Sequence, residues 1–243
     1  MCEGSTSQDQ KEEIPLVSAA TVLLLREKAG SPVEVLMLRR NSKIAFGGMW
    51  VFPGGRVDEH ELDHDDELGS ARRAAVRETE EEAGLVVTAT DMVTWSYWEP
   101  PPREAMYQKG PLRRFSTWFF AAPAPPGVVS IDDGEITEHA WLAPEEALSQ
   151  HRAGEIELVP PTWITLTQLR GHKSVSSALT WASTSQPRKF CTRPISKKPL
   201  ILAWDGDHAY ERPMSDESDG TDPHLHRLVM HSDGWIYHDT VGS

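Results

Sequence analysis

One short acidic segment, residues 77–85, constrains the fold and chemistry of this chain more than any other part. It reads Arg-Glu-Thr-Glu-Glu-Glu-Ala-Gly-Leu. On a helix, Glu78, Glu81 and Glu82 share one side, because successive residues are about 100° apart. Glu78 and Glu82 stand four positions apart, where like charges repel by roughly 0.2–0.5 kcal/mol. The segment therefore predicts a helix whose acidic face calls for a hard divalent cation.

Signals at both ends delimit this helix. Ser70 is a favoured N-cap residue, and Gly84 can adopt the left-handed conformation in which many helices end. Val76, Thr79 and Ala83 share the side away from the carboxylates and form the predicted core face. Considered alone, such a helix can also be a solvated acidic face, so the preceding residues decide between the two interpretations.

An apolar strand that stops at a glycine turn precedes the helix. Residues 49–58 read Met-Trp-Val-Phe-Pro-Gly-Gly-Arg-Val-Asp, and Gly54 and Gly55 let the main chain approach a ligand closely. With a strand, a glycine turn and an acidic helix in this order, the chain resembles the Nudix hydrolases. The family's box reads G-x5-E-x7-R-E-U-x-E-E-x-G-U, with U an aliphatic or similar residue, and residues 77–85 match its second half.

The first half of the box departs from the family pattern. Gly55 lies 22 residues before Arg77, where the family usually has 14, and the position eight before Arg77 is Gly69 rather than Glu. Glu61 keeps the family's distance from Gly55. The extra residues are therefore expected after Glu61, in the acidic run that ends at Glu67.

The resemblance implies an α/β fold, the Nudix α/β/α sandwich with a mixed sheet. We expect a disordered tail over residues 1–13, a Nudix hydrolase domain over 14–185, and a β-rich C-terminal extension over 186–243 packed on that domain. Apolar runs between turn signals predict the individual elements. The strands are expected at 15–26, 33–40, 49–52, 91–98, 114–122, 140–142, 198–204, 226–231 and 235–237, and further helices from 143 and over 161–181.

The resemblance also implies a metal-dependent reaction in which water attacks a phosphorus of a nucleoside diphosphate linked to another group. Mg²⁺ or Mn²⁺ is the expected cofactor, because both favour carboxylate oxygens and water. Arg77 would orient one of the carboxylates, and a carbonyl of Gly54 or Gly55 could add an oxygen. A distal loop offers one more acid, Glu135, or Glu138 in its place, as a ligand or general base. The predicted metal ligands are Glu78, Glu81, Glu82 and Glu135, and the predicted catalytic residues are Glu78, Arg77 and Glu135.

Substrate signals are consistent with one branch of the family. Arg39, Gly48, residues 52–55 and Asp58 fit part of the pattern of the coenzyme A diphosphatases, and residues 95–120 resemble the longer, peroxisomal-type relatives. Coenzyme A or a related ADP-containing compound is therefore the expected substrate. The residues that could hold its phosphates are Arg39, Arg40, Gly54, Gly55, Arg113 and Arg114. Trp95 or Trp98 could stack on adenine, although core aromatics and strand-end charges explain these residues as well.

A second metal motif overlaps the acidic run. Residues 60–64 read His-Glu-Leu-Asp-His, which matches H-E-x-x-H, a zinc-binding pattern when it lies on a helix. Its flanks carry no apolar stripe that could bury such a helix, and Gly55 and Gly69 bracket it. We therefore expect a solvated acidic loop.

Composition limits the other partners of the chain. A formal net charge of -13 over 243 residues opposes nonspecific binding to nucleic acid or anionic lipid. No apolar run is long enough to span a membrane, and two cysteines with no basic leader favour the cytoplasm. The expected partner is a small nucleoside diphosphate derivative, and a homodimer stays open. The alternative functions are a Nudix-fold ligand sensor without turnover and an RNA 5′-end hydrolase, which would need a basic channel.

Overall fold

The computed structural model describes residues 15–28, 33–42, 47–102, 114–132, 134–215 and 223–241. The predicted tail at 1–13 and Arg113 lie outside the described residues. The chain forms two compact units. The larger unit contains residues 18–97 and 117–188, and the smaller unit contains 1–17, 98–116 and 189–243.

The main sheet has eight strands and confirms the predicted α/β class. The strands are β1 Leu16–Arg26, β2 Glu34–Arg40, β3 Trp50–Val51, β4 Gly54–Arg56, β5 Val93–Glu99, β6 Arg114–Pro123, β7 Ile136–Leu142 and β8 Arg188–Cys191. The sheet follows the order β3-β2-β1-β6-β5-β8, with β4 paired to β1 and β7 paired to β2. The strands predicted at 15–26 and 33–40 correspond to β1 and β2, which are antiparallel with Leu25 opposite Val35.

Four helices accompany this sheet in the described chain: α1 Glu67–Ala83, α2 Pro144–Arg152, α3 Pro160–Leu169 and α4 Val175–Thr184. The single helix expected over 161–181 is two helices, because α4 begins anew at a capping box on Ser174. None of the described helices has the length and apolar character that a membrane crossing requires.

Helix α1 ends as predicted but begins earlier. Gly84 closes it with φ +65°, in the left-handed region. The predicted N-cap, Ser70, is wrong: the cap is Asp66, whose side chain accepts a hydrogen bond from the Gly69 N–H at 2.8 Å. Ser70 lies inside the helix, where its Oγ accepts from the Asp63 N–H at 2.7 Å.

The core of the larger unit lies between α1 and the sheet. From α1 it takes small residues, including Ala71, Ala74 and Ala75, all at most 1% exposed. Strand residues such as Leu24 and Phe120 pack in the same cluster. Because alanines face the sheet, the helix backbone can approach it closely. The position of α1 beside strand β4 follows from this packing.

The smaller unit contains an antiparallel sheet in the order β12-β11-β10-β9. Its strands are β9 Arg193–Lys197, β10 Leu200–Ala203, β11 His226–His231 and β12 Gly234–Asp239. A β-rich region beyond the family domain was therefore predicted correctly, although β8 and β9 were missed. Within this unit Asp207 and Arg227 form a buried ion pair, with two hydrogen bonds of 2.6 and 2.7 Å.

Candidate active site

The glycine turn lies directly against the acidic face of α1. The N–H of Gly54 donates to Glu82 Oε2 at 2.9 Å. Gly54 has φ +155°, and a Cβ at Gly55 would overlap the carboxylate of Glu78. A side chain at Gly54 would overlap the backbone of Ala20 and Thr21, and one at Gly55 would displace the Glu78 carboxylate. Glycines at these positions therefore let the strand backbone lie directly against the two carboxylates.

Glu82 is the most buried of the three helix carboxylates, with 3% of its surface exposed. Its Oε1 is buried and has no hydrogen-bond partner among the described residues. The nearest cation is the Nη1 of Arg40, at 3.9 Å. The pKa of Glu82 is raised to about 7, mainly by burial and in smaller part by the charges of Glu78 and Glu135, against the opposing effects of the Gly54 N–H and Arg40.

Glu78 and Glu81 differ in environment. Both accept from Arg77 Nη1 at 2.9 Å, but the Glu78 side chain is 14% exposed and that of Glu81 is 58% exposed. Burial raises the pKa of Glu78, Arg77 lowers it in part, and the charges of Glu81 and Glu135 raise it further. Glu78 and Glu82 are thus the buried acids of the cluster, and Glu81 is its solvent-facing member.

Arg77 is also held by a third carboxylate, that of Glu61. Arg77 Nε and Nη2 donate to the two Glu61 oxygens at 3.0 and 3.1 Å, and Nη2 also donates to the Arg56 carbonyl at 2.9 Å. Burial alone would raise the pKa of Glu61, but hydrogen bonds from Arg77 and the Asp58 N–H lower it overall. Glu61, the acid that keeps the family's distance from Gly55, thus forms the ion pair with Arg77, and an insertion that follows Glu61 stays a prediction.

The H-E-x-x-H segment does not lie on a helix of the kind that zinc binding requires. A single 3-10 turn, Glu59–Glu61, is followed by the loop that leads to α1, and His60 and His64 are exposed. Within the described ranges, no three His, Cys, Asp or Glu side chains are arranged to hold a metal ion as they stand. The same holds for the acidic face of α1, where the Glu78 and Glu81 carboxylates are paired with Arg77.

The distal loop brings Glu135, rather than Glu138, towards the cluster. Its main chain is fixed to the end of β2, because the Asn41 N–H donates to the Glu135 carbonyl at 2.7 Å. The Glu135 side chain is 57% exposed and lies 3.4 Å from Arg40 Nη2. Glu138 instead pairs with Arg39 at 2.6 Å. Arg40 therefore stands between Glu82 and Glu135.

The remaining predicted substrate residues have structural partners. Arg114 is 5% exposed and donates to the Pro100 carbonyl at 3.0 Å. Trp95 is 3% exposed and donates to Gln168, and Trp98 is 4% exposed and stacks on Phe190 with ring centroids 3.9 Å apart. Both tryptophans are core aromatics, which is the interpretation that the sequence left open beside adenine stacking.

Two residues that shape the site were not identified from the sequence. Thr21 Oγ1 donates to the Pro53 carbonyl at 2.6 Å and so fixes the start of the glycine turn. Asn41 Nδ2 donates to the Gly134 carbonyl at 3.0 Å and so holds the distal loop. Neither lies in a motif, and only the strand register brings them to these positions.

Comparisons with known proteins point to one family. The family model of the NUDIX domain matches residues 15–161. The Caenorhabditis elegans protein named "Putative nudix hydrolase 7" is 26% identical over 254 residues, which cover 86% of this chain and 78% of that protein. The crystal structure of a NUDIX hydrolase from Alicyclobacillus acidocaldarius has a TM-score of 0.60 at 21% identity, covering 71% of this chain and 99% of that one. The likeness to that structure is one of fold.

Proposed function

This chain belongs to the Nudix family, whose members are hydrolases that act on pyrophosphate bonds, and we propose that it hydrolyses a nucleoside diphosphate linked to a second group with Mg²⁺ or Mn²⁺ at the acidic face of α1. The observation that carries the proposal is the buried carboxylate of Glu82. One of its oxygens is fixed by the Gly54 N–H, and the other is buried without a hydrogen-bond partner in the described chain. A buried side-chain oxygen rarely lacks a hydrogen-bond partner, and a bound ion is one explanation when it does.

The residues present fit a hard divalent cation. Glu82 and Glu78 would hold it, with Glu81 or Glu135 completing the set, because all four offer the carboxylate oxygens that Mg²⁺ and Mn²⁺ prefer. When bound, such an ion neutralises charge on the phosphates and lowers the pKa of a bound water. Its charge would also satisfy the unpartnered Glu82 Oε1.

The protein's own residues supply orientation and proton transfer. The Gly54 N–H fixes the Glu82 carboxylate. Arg77, which is itself held by Glu61, fixes the Glu78 carboxylate. Glu78 and Glu135 are the two acids able to accept the proton of the attacking water. Burial raises the pKa of Glu78, which makes its carboxylate a stronger base. The side chain of Glu135 is exposed and can turn towards a substrate.

Arg40 and Arg39 are the proposed phosphate contacts. Arg40 Nε is buried without a hydrogen-bond partner among the described residues, and its Nη atoms reach carboxylates only at 3.4 and 3.9 Å. A phosphate would give this guanidinium the bidentate partner that it lacks. Arg39 is 44% exposed and pairs with an exposed acid, Glu138, so a phosphate can compete for it. With the partial match at Arg39, this favours coenzyme A or a related ADP-containing compound as substrate.

A screen of the purified protein tests the proposal. Coenzyme A, ADP-ribose, NADH, dinucleoside polyphosphates and oxidised nucleotides would be incubated with Mg²⁺ or Mn²⁺, and the products identified by mass. We expect cleavage at a diphosphate that disappears in chelator and in Glu82→Gln. Absence of turnover with all of them would instead favour a ligand sensor.

A further inference from the structure

Helix α1 also borders a partly polar cavity, open to solvent, on the side away from its carboxylates. On the helical wheel Arg72 falls with Val76 and Thr79, whereas Glu78 and Glu82 point elsewhere. The cavity measures about 270 Å³. It is lined by Arg72, Met92, Val93, Thr94, Ala182, Ser183, Ser185 and Pro187, all within the larger unit. The lining thus contains one cation, three hydroxyl groups and no acid.

Arg72 differs from the other arginines of α1 in how few hydrogen bonds it makes. Arg73 donates twice to the Glu61 carbonyl, and Arg77 contacts three carboxylates within 3.1 Å. Among the described residues, Arg72 donates only to Thr94 Oγ1, at a long 3.4 Å, and its guanidinium carbon lies 5.4 Å from the Phe120 ring centroid. Its Nε is buried and has no hydrogen-bond partner in the described part of the chain.

This arrangement is unexpected in a chain with 37 acidic and 24 basic residues. Acids are abundant, yet none of the described ones lies within ion-pair distance of Arg72. The Nε of Arg72 is itself buried, so other atoms of this side chain line the cavity. A group that accepts hydrogen bonds and carries negative charge would complement a guanidinium in this position.

We propose that this cavity is a binding site for a phosphate group, presented as inorganic phosphate or at the end of a small phosphate monoester. The planar guanidinium matches a tetrahedral oxyanion through two N–H donors. Thr94 accepts from Arg72, so its own hydroxyl hydrogen is available to the anion. The hydroxyl of Ser183 now donates to the Thr180 carbonyl within α4 at 2.9 Å and can rotate towards the cavity, and Ser185 caps the end of the same helix.

The site is separate from the candidate active site but shares a helix with it. A phosphate at Arg72 would contact the first turns of α1, and Glu78 lies six residues further along the helix. The inference does not rest on the proposed function, because it needs neither a metal ion nor turnover.

Phosphate binding can be measured directly on the full chain in chelator. Isothermal titration with inorganic phosphate, at an ionic strength held constant with sodium chloride, should give one saturable site in the wild type. Arg72→Met should weaken it by roughly ten- to a hundredfold, since a hydrogen bond to a charged group is commonly worth that much. Arg72→Lys should retain part of the binding, because it keeps the charge but loses the fork.

Three controls make the result specific. Arg170→Met removes an exposed guanidinium whose partner is Glu145 at 3.7 Å, and it should leave the affinity unchanged. Arg40→Met should also leave it unchanged, and loss of binding in that variant would move the phosphate to the candidate active site and overturn the inference. Thr94 also lines the cavity but lies on a strand rather than on α1. Thr94→Val therefore replaces Arg72→Met in the test if Arg72→Met does not fold.

Two further outcomes would overturn the proposal. One is equal heat of binding in the wild type and in a folded Arg72→Met. The other is equal affinity for acetate and phosphate, which would make the site a carboxylate site instead. A phosphate monoester such as glycerol phosphate that binds more tightly than inorganic phosphate, and loses that advantage in Arg72→Met, would identify the monoester as the ligand.

Discussion

Replacing Glu82 by Gln tests the candidate active site without any knowledge of the substrate. Burial raises the pKa of Glu82 to about 7 from an ordinary value of 4.5. The folded, metal-free protein therefore keeps this proton to a higher pH than the unfolded chain. The stability that it contributes is fully present below about pH 4.5 and is lost as the pH rises towards 7.

The size of the effect follows from this difference in pKa. At about 1.36 kcal/mol for each pKa unit, the folded state loses up to roughly 3 kcal/mol by pH 8. Gln keeps an acceptor for the Gly54 N–H and carries no charge. It also gives up a weak attraction to Arg40 at 3.9 Å. We therefore expect Glu82→Gln to stabilise the metal-free protein by about 1–3 kcal/mol at pH 8, and by clearly less at pH 5.

Thermal unfolding in chelator measures this directly. In a chain of this length, 1 kcal/mol changes Tm by roughly 2–4 °C, so the gain is well within reach at pH 8. Added Mg²⁺ should then raise the Tm of the wild type much more than that of the variant, because binding to the folded state stabilises it. Once a substrate is identified, turnover should fall at least about a hundredfold in the variant.

Glu80→Gln is the matched control, because Glu80 is exposed on the same helix. It should change neither the pH dependence of Tm nor its response to Mg²⁺. A Glu82→Gln protein that is less stable than the wild type at pH 8 in chelator would refute the reasoning. So would an Mg²⁺ response equal to that of the wild type.

Three other changes test neighbouring parts of the molecule. Arg40→Met removes a cation that competes with the metal ion, so calorimetry without substrate should show several-fold tighter binding of Mn²⁺. Weaker binding would contradict a metal site beside Arg40. Changing both His60 and His64 to Ala should leave metal content and hydrolysis nearly untouched, whereas joint loss of zinc and activity would revive the zinc-site interpretation. Asp207→Asn should destabilise the smaller unit by about 3–5 kcal/mol, because it leaves buried Arg227 without its partner. Burial alone would raise the pKa of Asp207, but hydrogen bonds from Arg227 lower it overall. In the wild type, the stability from this ion pair should therefore be lost only as the pH falls through the lowered pKa. A loss of near-UV circular dichroism that does not depend on pH would argue against this.

The parts of the fold that local sequence determines were predicted well. Apolar runs and turn residues located β1, β2 and β11, and Gly84 ended α1 as expected. The start of α1 was wrong, because Asp66 competes with Ser70 as a cap and acidic residues favour the first turn of a helix. Strands β8 and β9 are short and carry Arg, Lys and Pro, so only pairing with neighbouring strands makes them extended.

The helix carboxylates were predictable from spacing, whereas their partners were not. Glu78, Glu81 and Glu82 lie within two turns of one helix, so periodicity alone groups them. Arg40 and Glu135 are 95 residues apart, and their approach depends on how β2 pairs with β7. The register of that pair shifts between Arg39 and Arg40. Irregularities of this kind re-aim side chains, and the sequence carries no local sign of this one.

The insertion shows which feature of the box the structure preserves. Counting residues, the acid eight positions before Arg77 is missing, because Gly69 stands there. In space it is present, because Glu61 holds Arg77 through two hydrogen bonds. Hydrogen bonds join the two ends of the loop that follows Glu61. Arg73 donates to the Glu61 carbonyl at 2.7 Å, and Ser70 Oγ accepts from the Asp63 N–H. Lengthening a surface loop costs little free energy when its ends stay fixed, so the pair of Glu61 and Arg77 can form across the longer connection.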